Sequence, residues 1–231
     1  MTFDIQDITA ISDLAKSKNI TTIIDNSYNS PLNQQPIFMG IDIVVHSATK
    51  YLNGHSDVVA GVICSSKERI MKIMSEEYMT IGSIISANDA ALILRGLRTL
   101  ELRMERSFDT TEKVAYFLEN HPKIKKMYYP FSSTNPQLNL AQKQMKKGGG
   151  LFSVLLNVNS VEQVESFCDE LKRFLIATSW GGHESLVFPI CAIGASKSFE
   201  NPLPWNMVRF YIGLENADLL IDDLKQALDK I

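Results

Sequence analysis

Three short, largely apolar and β-branched runs constrain this chain more than any other feature: Thr21-Thr22-Ile23-Ile24-Asp25, Ile43-Val44-Val45-His46 and Val58-Val59-Ala60-Gly61-Val62-Ile63. They are too short for comfortable helices and too continuously apolar for strands with one wet face. Separated by helix or loop, such strands imply a mostly parallel α/β sheet covered on both faces. A helix is predicted over 6–17, where Ile8, Ile11, Leu14 and Ala15 recur at helical spacing behind Asp7 as a cap. The sheet reads as incomplete, because only three strands are visible and the chain opens on a helix with no strand before it.

From Ser86 to about His121 the pattern is helical, and Pro122 stops it. Residues 123–150 read as mixed and loop-like. Gly148-Gly149-Gly150 precedes a strand rather than a helix, which makes it a flexible lead-in and not a phosphate loop. A strand over 151–157, a helix from Val161 to Leu171, a strand near 174–178, a long loop, a strand over 208–212 and a closing helix follow. This second half is a small α+β layer. The expected domains are 1–110 and 111–231.

Composition removes whole classes. The 231 residues are 45% hydrophobic and 21% charged, which sits on globular averages and excludes disordered, collagenous and disulfide-scaffold chains. With 26 acidic against 23 basic residues the net charge is −3, and no basic cluster offsets it, so nucleic acid and anionic membranes are not expected partners. No apolar run approaches the roughly 18 residues of a membrane helix, and the start carries no secretory leader. Cys64, Cys168 and Cys191 form no CxxC pair and read as buried, reduced thiols of a cytoplasmic protein. The four histidines lack ligand spacing, so no metal site is expected. Met71, Met74 and Met79 read as core filler.

The sharpest chemical signal is His46-Ser47-Ala48-Thr49-Lys50. Alone, it admits two readings. Lys50 is a surface lysine behind turn-capping hydroxyls, or the hydroxyls grip a phosphate while the sheltered amine forms a Schiff base. Asp25 ends a strand 25 residues upstream, where open α/β sheets place ligand contacts, and a pyridoxal ring nitrogen requires such an acid. As a lone residue it reads first as a helix or turn cap.

Five ordered blocks decide between these readings. IIDNSYNSP (23–31), IDIVVHSATKYLNGHSDVVAGV (41–62), LRGLRTLELRMERS (94–107), TSWGGHESLVFP (178–189) and VRFYIGLENADLLIDDLKQAL (208–228) resemble the Cys/Met-metabolism family of pyridoxal-phosphate enzymes. That family includes cystathionine β-lyase, cystathionine γ-synthase, cystathionine γ-lyase and methionine γ-lyase. The resemblance implies fold type I, the aspartate-aminotransferase-like α/β architecture, with pyridoxal 5'-phosphate as cofactor. It also implies a small amino-acid substrate and a homo-oligomer. Carried over residue by residue, Lys50 is the Schiff-base lysine, Asp25 the partner of the ring nitrogen, and Ser47 and Thr49 the phosphate-side hydroxyls. Ser179 and Arg209 hold the substrate's α-carboxylate, a task suited to a two-toothed guanidinium.

The implied reaction is elimination of a sulfur leaving group, most like a β-lyase in the run Ser179-Trp180-Gly181-Gly182 and in Gly54-His55-Ser56-Asp57. Family members of full length supply an arm, a glycine-containing phosphate turn and a stacking aromatic ahead of the Asp25 strand. These blocks do not precede Asp25 here, so the chain reads as a C-terminal portion and, alone, as a poor enzyme. The rival from another class is a non-catalytic assembly module.

Overall fold

A computed structural model describes residues 1–193 and 202–231. They form two compact units, one of residues Gln6–Leu102 with Lys143–Lys146, the other of Met1–Ile5, Arg103–Gln142 and Lys147–Ile231.

In the first unit, α1 (Ile8–Ser17) starts where Asp7 accepts the Ala10 N–H at 3.0 Å. The Gln144 side-chain amide then completes the entry. It accepts the Ile8 N–H at 2.8 Å and donates to the Gln6 carbonyl at 2.9 Å. Strand β1 (Ile23–Asp25) leads through the short helix α2 (Ser30–Asn33) to β2 (Ile43–Ser47) and β3 (Gly61–Cys64), with strand order β1-β2-β3. Strands β1 and β2 run parallel, with Asp25 beside Val45. Strand β3 runs antiparallel to β2. It is also shorter than the apolar run that announced it, because the N–H and carbonyl of Ala60 are both taken by Thr49.

Ile8, Ile41 and Val44 form the small core here, with Ile24 and Met39 against it. The other face of the sheet is less covered than the sequence suggests, with Ile23 66% and Ile63 49% exposed. Helix α3 (Lys67–Ile73), a π-turn at Met74–Tyr78 and α4 (Met79–Ile81) bury no residue. Met71, Met74 and Met79 are therefore exposed and not core filler. Cys64 is exposed as well.

The long helical stretch is two helices, α5 (Ala87–Leu97) and α6 (Leu100–Glu119). Thr99 breaks it by returning both its N–H (3.1 Å) and its hydroxyl (3.2 Å) to the Gly96 carbonyl.

The second unit is a five-stranded sheet. Its elements are β4 (Ile124–Tyr128), α7 (Leu138–Gln144, whose last two residues belong to the first unit), β5 (Leu151–Leu156), α8 (Val161–Glu170), β6 (Leu175–Ile176), β7 (Leu186–Pro189), β8 (Met207–Tyr211) and α9 (Ala217–Leu228). The strand order is β4-β5-β8-β7-β6. Phe152 and Phe210 stack at 5.3 Å in its core, edge-on to Phe167 and Phe174, with Leu220, Leu224 and Leu228 of α9 closing over them. Buried Asp223 accepts the Lys172 and Arg173 N–H groups and pins the turn before β6.

Strand β4 and helix α7 fall in the stretch that reads as loop. Lys125 and Lys126 hide the strand's period, and such charges suit an edge strand. Strand β7 occupies part of the expected long loop, whose residues 194–201 lie outside the described residues. Gly148–Gly150 is buried and built in rather than flexible: a Cβ on Gly148 would sit 2.4 Å from the Tyr129 ring, and Gly149 holds φ +88°. Among the described residues no helix is long and apolar enough to cross a membrane, and no group of three or more His, Cys, Asp or Glu could hold a metal ion.

Candidate active site

The residues expected on the cofactor side belong to the first unit, at and just beyond the carboxyl ends of its two parallel strands. Asp25 is the last residue of β1 and Ser47 the last of β2. Because Asp25 pairs with Val45 and side chains alternate along a strand, Asp25 and Ser47 share one sheet face and His46 turns to the other. Ser27 joins them. Its N–H and hydroxyl both donate to Asp25 Oδ1, at 2.8 and 2.6 Å, and its Oγ accepts the Ser47 N–H at 2.5 Å. Asp25 is exposed.

Lys50 lies in the turn that leaves β2. The turn is wound by Lys50 N–H to Ser47 O (3.1 Å), Asn53 N–H to Ala48 O (2.9 Å) and Gly54 N–H to Lys50 O (2.8 Å). Ala48, Tyr51 and Leu52 are buried and anchor it, which leaves Lys50 half-buried. From outside, α5 presses Gly96 against it so closely that a Cβ there would meet the Asn53 carbonyl oxygen at 2.3 Å. Thr49 is fastened to Ala60, its Oγ1 accepting the Ala60 N–H at 3.0 Å. Burial holds the His46 imidazole below its ordinary pKa against the opposing charge of Asp25, which keeps that ring neutral near pH 7.

A carboxylate, an amine and hydroxyl groups at neighbouring parallel strand ends are the donor set that pyridoxal phosphate requires, and the residues present fit it. Asp25 would meet the ring nitrogen, Lys50 would hold the aldehyde carbon, and the Ser47–Thr49 turn would take the phosphate.

The residues expected on the substrate side, Ser179 and Arg209, belong to the second unit. Arg209, in the middle of β8, stands opposite Ser153 of β5 and Phe188 of β7, with its guanidinium 5.5 Å from the Phe188 ring centroid. Its Nη2 donates to the carbonyls of Thr178 and, at 3.2 Å, Ser179. Ser179 thus meets Arg209 through its main chain, and it is exposed. The following loop is clamped where Tyr211 donates to Gly182 O at 2.8 Å, and where the Ser185 N–H and hydroxyl donate to Glu215 at 2.8 and 2.7 Å. Burial lowers the Arg209 pKa from its high ordinary value.

Sequence reasoning missed Ser27 and Gly96. The Asp-x-Ser spacing of Asp25 and Ser27, an Asx-turn signature, is the signal that marks the first. The tight approach of Gly96 leaves no trace in the sequence.

The chain is 38% identical to cystathionine γ-lyase of Bacillus subtilis over 232 residues, covering 98% of this chain and 61% of that protein. It is 40% identical to L-alanine/L-glutamate racemase of Wolbachia pipientis, covering 100% and 58%. The crystal structure of metB from Corynebacterium glutamicum superposes with a TM-score of 0.92 at 36% identity, covering 99% and 60%. The chain thus spans about three fifths of the length of these relatives. Residues 1–229 match the family described as Cys/Met metabolism PLP-dependent enzyme, and the chain belongs to that family.

Proposed function

We propose that this chain carries the catalytic lysine, ring acid and carboxylate-binding arginine of an enzyme that breaks a C–S bond in cystathionine or a related sulfur amino acid. The observation that supports it most is that Asp25 and Ser47 end adjacent parallel strands and are tied together through Ser27, with Lys50 in the turn that follows Ser47. Pyridoxal phosphate supplies, when bound, the electron sink for charge left at the substrate's α-carbon. The Lys50 amine holds the cofactor and then takes the α-proton. Asp25 keeps the ring nitrogen protonated, and Ser47 and Thr49 bind phosphate. Arg209 and Ser179 hold the α-carboxylate. Once that proton is gone, the C–S bond gives its electron pair to sulfur, which departs as a thiolate.

The run Ser179-Trp180-Gly181-Gly182 supports β-elimination, which yields homocysteine and pyruvate from cystathionine; γ-elimination would yield cysteine and 2-oxobutyrate. A second reading rests on the racemase relative: the α-proton is removed and returned with no bond to sulfur broken. Borohydride reduction with added pyridoxal phosphate, followed by peptide mapping, tests the shared core and should label Lys50. A label on another lysine with Lys50 free would sink the assignment. Product analysis from cystathionine, beside deuterium exchange at Cα of L-alanine, then separates lyase from racemase. The exposed Met79, Ile81, Ile84 and Leu94 support a homo-oligomer, and the three unpaired thiols support a cytoplasmic setting.

A further inference from the structure

Two polar atoms of the second unit are buried with no hydrogen-bond partner among the described residues and lie directly across a strand ladder from one another: Ser153 Oγ on β5 and Arg209 Nε on β8. Ser153 is wholly buried. Directly opposite residues of an antiparallel pair share a face, with Cβ atoms about 4.5–5.5 Å apart, within reach of a guanidinium Nε. An orphaned donor and an orphaned acceptor this close each carry a desolvation cost, and such pairs call for a reason. The remaining geometry supplies one. Nη2 of Arg209 is turned to the carbonyls of Thr178 and Ser179, and the guanidinium is held from one side by the Phe188 ring. To present a two-toothed edge to a carboxylate, the guanidinium must rotate about its chain, and its Nε–H then needs an acceptor on the β5 side. Ser153 Oγ is the hydroxyl at that position.

Resting on the reading of Arg209 as the carboxylate holder, we propose that Ser153 is a positioning residue for it. Its hydroxyl takes the Arg209 Nε–H when an anionic carboxylate is bound, fixing the plane of the guanidinium. Ser153 acts through Arg209 and does not itself touch the substrate.

The test titrates the full 231-residue chain with butanoate and, separately, with butanamide, which has the same shape and no charge; neither carries an amine. Binding is followed by chemical-shift changes, together with the exchange rate of the Arg209 Nε–H, whose resonance is identified by its loss in Arg209→Lys. Ser153→Ala should weaken butanoate about tenfold, the worth of one hydrogen bond to a charged group, and leave butanamide unchanged. Butanoate should slow Nε–H exchange in the parent chain and not in Ser153→Ala, and Ser153→Thr should restore both effects. Equal weakening of the two probes, or unchanged butanoate binding and Nε–H exchange in Ser153→Ala, overturns the role of Ser153 alone. Butanoate binding that survives Arg209→Lys, or is absent from the parent chain, overturns the Arg209 reading and this inference with it.

Discussion

Asp25 Oδ1 receives two hydrogen bonds from Ser27, one from its backbone and one from its hydroxyl, and the same hydroxyl oxygen accepts the Ser47 N–H. One side chain thereby sets both the rotamer of Asp25 and the start of the turn that carries Lys50. Ser27→Ala keeps the backbone bond and loses the other two. Cofactor affinity, read by titrating pyridoxal phosphate and following its absorbance, should fall about tenfold, the scale of one lost bond to a charged group. Affinity equal to that of the parent chain would mean that the backbone N–H alone positions Asp25.

Gly96 sits where helix α5 meets the Lys50 turn at backbone contact. Gly96→Ala puts a methyl group onto the Asn53 and Leu52 carbonyls, and neither is free to move, because their neighbours wind the turn. The expected cost is about 1–3 kcal/mol of stability by denaturant titration, with weaker borohydride labelling of Lys50. Alanine ordinarily improves a helix over glycine, so a stabilised variant would show that the contact is looser than described.

Arg209→Lys replaces a forked donor by a point charge and leaves the first unit untouched. Substrate affinity should fall about a hundredfold while the absorbance of the bound cofactor stays as it was. Unchanged binding of an amino-acid substrate would remove Arg209 from the carboxylate role.

Burial pushes the Cys168 thiol up from 9.0 to about 12. The unfolded thiol ionises near its ordinary value while the folded one stays neutral, so this contribution to stability is complete below pH 9 and is lost as pH rises toward 12. Denaturant midpoints should decline across that window with a slope of up to about 1.4 kcal/mol per pH unit from this group, and Cys168→Ala should flatten it. At pH 8 a thiol reagent should modify exposed Cys64 first and reach Cys168 only on unfolding.

The elements that were legible in the sequence are those whose own residues carry the signal. Helix α1 announces itself through Asp7 and its apolar spacing, and β8 through Val208, Phe210 and Ile212. Strand β4 does not, since it is held by pairing with β5 and two of its five residues are lysine. The direction of β3 was hidden for a related reason: β-branched runs look alike in either direction, and here the tie between Thr49 and Ala60 brings the chain back alongside β2. At the site, Lys50 and Asp25 stand out by residue type and placement, but their proposed roles, and that of Arg209, come from the resemblance of the blocks around them. Ser27 and Gly96 act through where they are placed, and Ser179 meets Arg209 through a carbonyl that every residue possesses.

The Gln144 amide stands in for one residue of a strand, receiving from Ile8 and giving to Gln6 across 136 and 138 positions of chain. Loop-closure entropy must be met before so distant a contact returns anything, which places this clasp late in the order of folding events. Contacts that form last contribute little to the folding rate and mostly hold back unfolding. The entry to α1 is accordingly a latch in time as well as in space, a small side chain that sets how long the first unit keeps its leading helix rather than how quickly it acquires it.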